Sequence, residues 1–317
     1  MTVTQLSTFV LVARLGSVGA AARTLNVSES AVSQALAALR THFGDPLIRR
    51  TGGGMRLTPA GARLLPVASR MVALSADAEA AVRAARGAPD ELRVVATSTL
   101  AEFVLPSLVE AFACRSGRRT ETSFGVAAGN EIRVLVENRL ADVALGPCLG
   151  AARRGELVSE PLFRTWLVVV IGAGSPRPPG PPPRWSWLVD SSGTDPDADS
   201  GRLLRRLGVA EGHVRVFPNQ AATWAAAAEG AGVAPALAHL VSPRIRRDEL
   251  RILETPATPS DATWHATVLQ PEHRSPATDA FLRFLHTPAA TRIMRAPGAG
   301  VPPSRFRPPV YVTLWGT

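Results

Sequence analysis

Residues 17–61 confine the chain most tightly: they dictate two short helices across a tight turn, a glycine-rich hairpin and then a long helix. Ser17 reads as the N-cap of a helix over Val18 to Leu25. Asn26-Val27 forms the turn, because asparagine is among the few residues that tolerate left-handed backbone. Ser28 caps a third helix that ends near Arg40 to Phe43. A first helix, about Thr4 to Arg14, supplies Leu6, Phe9, Val10 and Ala13 as a matching inner stripe.

The third helix has two unlike faces. Ala31, Val32, Ala35, Leu36 and Leu39 recur at helical spacing and form an apolar stripe. At about 100° per residue, Ser30, Ser33, Gln34, Ala37 and Thr41 fall on the opposite side. That outer face is small, polar and uncharged, flanked by Ser28, Glu29 and Arg40. Such a surface suits a helix that enters the major groove of DNA and reaches base edges, where Gln34 offers the paired donor and acceptor that match adenine. The helix-turn-helix then runs from Val18 to Ala37. After it, Gly44-Asp45-Pro46 breaks the helix, and two short apolar runs flank a Gly53-Gly54 turn. This predicts a wing, with Arg49, Arg50 and Arg56 set against phosphates or the minor groove.

The spacing of Leu6-x-x-Phe9, Gly16-Ser17, Ala21-Ala22, Leu25, Val27-Ser28, Ser30-Ala31-Val32-Ser33, Leu36, Leu39, Gly44-x-Pro46-Leu47, Arg50 and Leu57-Thr58-Pro59-Ala60-Gly61 resembles the LysR-type bacterial transcriptional regulators. The match covers the first 65 residues. The chain departs from the family pattern at Glu29, Arg40 and Ile48. Glu29 at the groove would repel phosphate and accept from a cytosine amino group, which alters the expected DNA preference. The resemblance implies a winged helix-turn-helix, a linker helix and an α/β body of two Rossmann-like lobes. It also implies double-stranded promoter DNA, a small-molecule effector between the lobes, a homodimer or homotetramer, and RNA polymerase as a further partner. A ligand-independent DNA-bending or nucleoid-type protein is the alternative.

Charge is distributed in keeping with a nucleic-acid partner. Residues 1–86 hold ten arginines against four acids, residues 288–317 hold four arginines and no acid, and the middle is balanced. A basic end on a neutral body is the footprint of an anionic polymer. The run Trp166 to Ile171 is too short to span a membrane and reads as a buried strand, so a cytoplasmic protein is expected. Two cysteines make no disulfide framework; Cys114 and Cys148 read as unrelated buried thiols. The histidines show no metal-ligand spacing, no nucleophile elbow is present, and Pro235 stands where a dinucleotide fingerprint needs its third glycine. These readings predict no catalytic constellation, no metal and no cofactor.

Four segments are expected: 1–58 as the DNA-binding domain, 59–87 as a linker and dimerisation helix, 88–287 as the effector-binding domain, and 288–317 as a Pro/Gly-rich basic tail. Thr58 and Pro59 open the linker helix, which spans roughly 42 Å at 1.5 Å per residue. Leu64, Ala68, Met71, Ser75, Ala78, Val82 and Ala85 alternate spacings of four and three, as a dimer seam would. In the body, strands alternate with helices, which predicts mostly parallel sheets. The stretches Asn138 to Leu145 and Glu229 to Pro235 resemble signature segments of the LysR-type effector domain. Ligands of such folds sit at strand C-termini. Thr97, Ser98 and Thr99 are placed there to bind a small anion, with Gly146, Pro147, Cys148, Asn219 and Gln220 as further contacts. Residues 177–183 predict an extended, stiff loop.

Overall fold

In the computed structural model, residues 1–51, 54–116, 120–148, 157–196 and 198–296 are described. The chain opens with α1 (Val3–Leu15), α2 (Val18–Leu25) and α3 (Glu29–Phe43). Thr2, Ser17 and Ser28 cap them through side-chain oxygens that accept N–H groups of the first turn. Gly16, Asn26 and Gly44 close them in left-handed backbone. The hairpin of β1 (Ile48–Thr51) and β2 (Gly54–Leu57) follows, then α4 (Pro59–Ala85). Gly54 belongs to the second strand and pairs with Thr51. Of the expected Gly53-Gly54 turn, Gly53 lies outside the described residues.

Leu6, Phe9, Val10, Leu11 and Val12 of α1 are buried against Val32, Leu36 and Leu39 of α3 and Ala68 and Val72 of α4. One core therefore joins the first three helices to the long helix. Thr58 caps α4 through its hydroxyl, which accepts from Gly61 N at 3.0 Å and donates to Asp45 at 2.7 Å. Gly61 is obligatory here. A Cβ on it would lie 2.0 Å from the Leu47 carbonyl oxygen, so the loop passes directly over the helix start.

The remainder is a two-lobe α/β domain built on a mixed, curled sheet. The first lobe contains β3 (Asp90–Ala96), α5 (Ser98–Phe103), α6 (Leu105–Ser116), β4 (Thr120–Val126), α7 (Gly129–Glu137) and β5 (Val143–Gly146). The long strand β6 (Leu157–Gly172) carries the chain to the second lobe. There lie β7 (Trp187–Val189), α8 (Asp199–Leu207), β8 (Val214–Val216), α9 (Gln220–Ala228), β9 (Ala234–Leu237), α10 (Ala238–Arg246) and β10 (Leu250–Leu253). Strand β11 (Ser260–Leu269) returns, followed by α11 (Pro276–Leu285) and α12 (Pro288–Arg295). The order is β10-β6-β11-β5-β3-β4, with β9 also on β6. The parallel pairs are β3 with β4 and β5, and β7 with β8, whereas β6 and β11 run antiparallel to every strand they pair with. The sheet is thus mixed rather than mostly parallel, because two long strands cross between the lobes.

Two boundaries move. Residues 288–295 are not tail: α12 buries Ala290 and Met294 in the main core, so the α/β domain extends past Thr287. The remaining tail from residue 297 lies outside the described residues. Within the proline-rich loop, Pro182–Arg184 forms a 3-10 turn instead of extended chain. Trp185 and Trp187 fasten it by donating their indole N–H groups to the Gly180 and Pro182 carbonyls. Met294 is 1% exposed. Met294→Ala is expected to lower the unfolding free energy by about 2–4 kcal/mol in urea titration, the usual cost of a methionine cavity.

Candidate functional site

On α3 the predicted outer face is open. Ser28, Glu29, Ser30, Ser33, Gln34, Ala37 and Arg40 are all exposed, while Val32, Leu36 and Leu39 are buried. Ser28 and Ser30 share a hydroxyl–hydroxyl hydrogen bond of 2.8 Å, so the start of the helix is ordered by its own side chains. Glu29 folds back: a Cβ on Gly19 would meet its Oε1 at 2.8 Å and the Arg23 guanidinium at 3.6 Å. Its carboxylate thus lies along the start of α2, beside an arginine.

The wing stands on a short polar relay. Asp45 Oδ1 accepts from Leu47 N and from the Thr58 hydroxyl, both at 2.7 Å. Those two bonds, with Arg49 nearby, hold the Asp45 carboxyl below its ordinary range. Leu47 itself is left-handed, with φ 59°, a conformation that L-residues adopt only when their surroundings impose it. Arg49 pairs across the hairpin with Arg56, and Arg50 with Met55. Side chains alternate along a strand, so Arg49 and Arg56 share one face of the wing and Arg50 lies on the other, with all three exposed.

On α4 the expected seam divides. Ala68 is fully buried under α1 and Leu64 packs on the same core, so neither is free to face a second molecule. Met71, Ala78 and Val82 are exposed, and Val67 and Leu74 join them on the outer side. The open apolar row is therefore Val67, Met71, Leu74, Ala78 and Val82, rotated away from the row that α1 covers. This helix also meets the α/β domain. Arg139, left-handed at the end of α7, bonds Asp77 of α4 at 2.5 Å, and Arg14 of α1 pairs with Glu137 at 3.7 Å. The stretch Asn138 to Asp142 thereby has structural duties: Asn138 donates to the Val134 carbonyl, and Asp142 holds Arg93 through three bonds of 2.8–3.1 Å.

Between the lobes lies a cleft lined by Thr97, Thr99, Pro147, Ser192, Asp199, Ser200, Gln220, Trp224 and Trp264, among others. Its free volume is about 40 Å³, so the lobes are closed on each other. Of the expected contacts, Thr97, Thr99, Pro147 and Gln220 line it. Gly146 is buried just beneath, its position 3.1 Å from Thr97 if it bore a Cβ. Ser98, Asn219 and Cys148 are not brought there. Ser98 donates to Asp190 at 2.8 Å, and Asn219 caps α9 by accepting from Ala222 N. Both cysteines are exposed, contrary to the expectation of buried thiols.

Sequence reasoning missed the carboxylates of this region. Glu102, one turn beyond Ser98 on α5, accepts Gln220 N and Ala221 N at the start of α9, each at 3.1 Å. Burial pushes its carboxyl up to about 7, against those two bonds, and Asp190 adds to the rise. Asp195 accepts Gly129 N, the first residue of α7, at 3.0 Å. Asp190 is 1% exposed and is satisfied by Ser98 and Ser192. The i, i+4 spacing of Ser98 and Glu102 was visible in the sequence; their partners, about a hundred residues away, were not.

Residues 3–62 match the family model of the bacterial regulatory helix-turn-helix protein, lysR family, and residues 85–289 match the LysR substrate binding domain. The chain belongs to the LysR family of bacterial transcriptional regulators. An uncharacterised HTH-type transcriptional regulator of Mycobacterium tuberculosis is 32% identical, covering 99% of this chain and all of the relative. Among solved structures, a full-length AphB variant superposes with a TM-score of 0.59 at 15% identity, over 90% of this chain and 98% of that one. Vibrio fischeri DarR in complex with DNA superposes at 0.51 and 18% identity, over 90% and 99%. This LysR-type protein is accordingly a DNA-binding transcriptional regulator with an effector-binding domain. Among the described residues, no helix is long and apolar enough to cross a membrane.

Glu102 makes the regulator's stability pH-dependent. An acid whose folded pKa is raised stabilises the fold fully below its unfolded value, here 4.5, and loses that contribution as pH climbs through about 7. Glu102→Gln should flatten the pH profile of the unfolding midpoint across that window; a profile of unchanged slope would contradict the assignment.

Proposed function

We propose that this LysR-type regulator binds promoter DNA as a homodimer or a dimer of dimers, and that a small molecule in the inter-lobe cleft controls the geometry of its paired reading helices. The observation that carries this reading is the exposed, uncharged polar face of α3, backed by a closed apolar core and flanked by a wing bearing three exposed arginines. Ser30, Ser33, Gln34 and Ala37 are short enough for the helix to sit deep in the groove, with Gln34 reading a base edge. Arg49, Arg50 and Arg56 supply sequence-independent phosphate contacts.

Pairing is assigned to the outer row of α4. Leu74 is 66% exposed and Val82 53%, large apolar groups that a helix facing only water seldom carries in series. Covering them with a second copy places two α3 helices on one duplex, as two half-sites require. The cleft communicates with the reader through packed elements: α7 touches α1 and, through Arg139, α4. Effector binding and DNA binding are then linked by one coupling free energy, reciprocal between the sites.

Arg50→Ala should weaken binding to all duplexes alike and reduce the salt slope by about one unit, whereas Gln34→Ala should reorder the ranking of sites with a smaller loss of overall affinity. Fluorescence anisotropy on a panel of duplexes at several salt concentrations distinguishes the two. An unaltered ranking in Gln34→Ala would remove α3 Gln34 from base reading. Leu74→Glu should convert the oligomer to a monomer in analytical ultracentrifugation while circular dichroism stays unchanged; an oligomer of wild-type size would exclude this row as the interface.

A further inference from the structure

Asp199 lines the inter-lobe cleft, and three more carboxylates, Glu102, Asp190 and Asp195, bond across the lobes beside it, each occupying backbone N–H groups where an anion would otherwise dock. Glu102 reaches from α5 of the first lobe to the two leading amides of α9 in the second. Asp195 reaches from the second lobe to the leading amide of α7 in the first. Asp190 takes Ser192 N within its own turn and the Ser98 hydroxyl across the cleft. Asp199 stands on the cleft wall at the first position of α8 and pairs with Arg202 one turn along the helix. No arginine or histidine lines the cleft among the described residues, and the chain has no lysine. The start of a helix that opens on a cleft at strand C-termini is the natural dock for a ligand carboxylate or phosphate. At α9 the dock is already filled, and the filling group belongs to the opposite lobe.

We propose that the Glu102 carboxyl group is a built-in occupant of the α9 amides, and that it sets the effector specificity of this regulator against carboxylates and phosphates. The wild-type cleft accordingly admits an uncharged or cationic small molecule, hydrogen-bonded by Thr97, Thr99, Ser192 and Ser200 beside Trp224 and Trp264. A free carboxylate entering this cleft meets Asp199 on its wall and finds no unoccupied amide pair at α9, because Glu102 fills it. This specificity rests on the cleft being the effector site, as proposed above.

The seat is tested by emptying it. Full-length wild type, Glu102→Ala and Glu102→Gln are heated with formate, with benzoate and with chloride at matched ionic strength. Glu102→Ala is expected to melt below wild type and to recover most of that loss in formate, because formate fits the vacated amides. Wild type and Glu102→Gln, whose seats remain filled, should respond no more to either carboxylate than to chloride. A Glu102→Ala protein indifferent to formate would overturn the proposal. So would a wild type stabilised by benzoate, an arm that needs no Glu102 variant to fold. Thr99→Trp, which blocks the cleft, separates the two levels. A wild-type benzoate response abolished by Thr99→Trp discards the Glu102 assignment and keeps the cleft as effector site. Formate rescue of Glu102→Ala, together with metabolite responses of DNA binding that Thr99→Trp leaves intact, would keep the seat and discard the cleft as the place where effectors act.

Discussion

The burial of α1 is the constraint on which the rest of the structure hangs. Its four consecutive buried apolar residues, Phe9 to Val12, together with Leu6, are more than one amphipathic stripe provides, because two different helices cover them. Helix α3 covers one side and α4 the other. Full burial of each large side chain is worth about 1.5–3 kcal/mol, so the three helices form one body and the reading face cannot turn independently of the linker. That same α1 touches α7 of the effector domain, where Arg14 meets Glu137. Partly exposed single pairs of this kind contribute little stability. What they add is position, since Arg139 and Asp77 fix a second point of the same junction on α4.

The effector domain solves a different problem. Its lobes share β6 and β11, so they can hinge without separating. Closure brings helix starts from one lobe against carboxylates from the other, at Glu102 with α9 and at Asp195 with α7. Helix starts carry partial positive charge and unsatisfied N–H groups, so each contact fulfils a backbone requirement that water meets when the lobes part. A burial-raised carboxyl near 7 on Glu102 places one of these contacts close to its own titration.

Much of the reader was legible because its signals are local. Ser17, Asn26, Ser28 and Gly44 each act within four residues of themselves, and all four terminate helices where capping chemistry says they should. The alternation of α3 likewise needs only its own period. Where a reading depended on distant partners it failed or drifted. Ala68 and Leu64 fit a seam by spacing, yet α4 carries two apolar rows, and only the packing of α1 shows which one is spent inside. Strand β6 was seen from Trp166 onward and missed over Leu157–Thr165, whose mixed polarity comes from crossing between lobes rather than lying in one core. Helix α12 was absorbed into the basic tail because Pro288 and its arginines mask Ala290 and Met294. In the cleft, hydroxyls were visible as strand-end residues, but the carboxylates that engage the opposite lobe were invisible without the fold.

The reading surface and the inter-lobe cleft are joined through α1, α4 and α7 into one mechanical system. All six tryptophans lie at position 166 or beyond, so the DNA-binding domain contributes none of the tryptophan emission. Trp224 and Trp264 flank the cleft itself. Titration of unlabelled cognate duplex into the full-length protein, followed by tryptophan emission, and of labelled duplex, followed by anisotropy, measures the coupling without knowledge of the effector. The junction of α7 with α1 and α4 predicts a saturable change in tryptophan emission with the same midpoint as the anisotropy curve. Saturated DNA binding with emission unmoved would show that the two sites do not speak to each other.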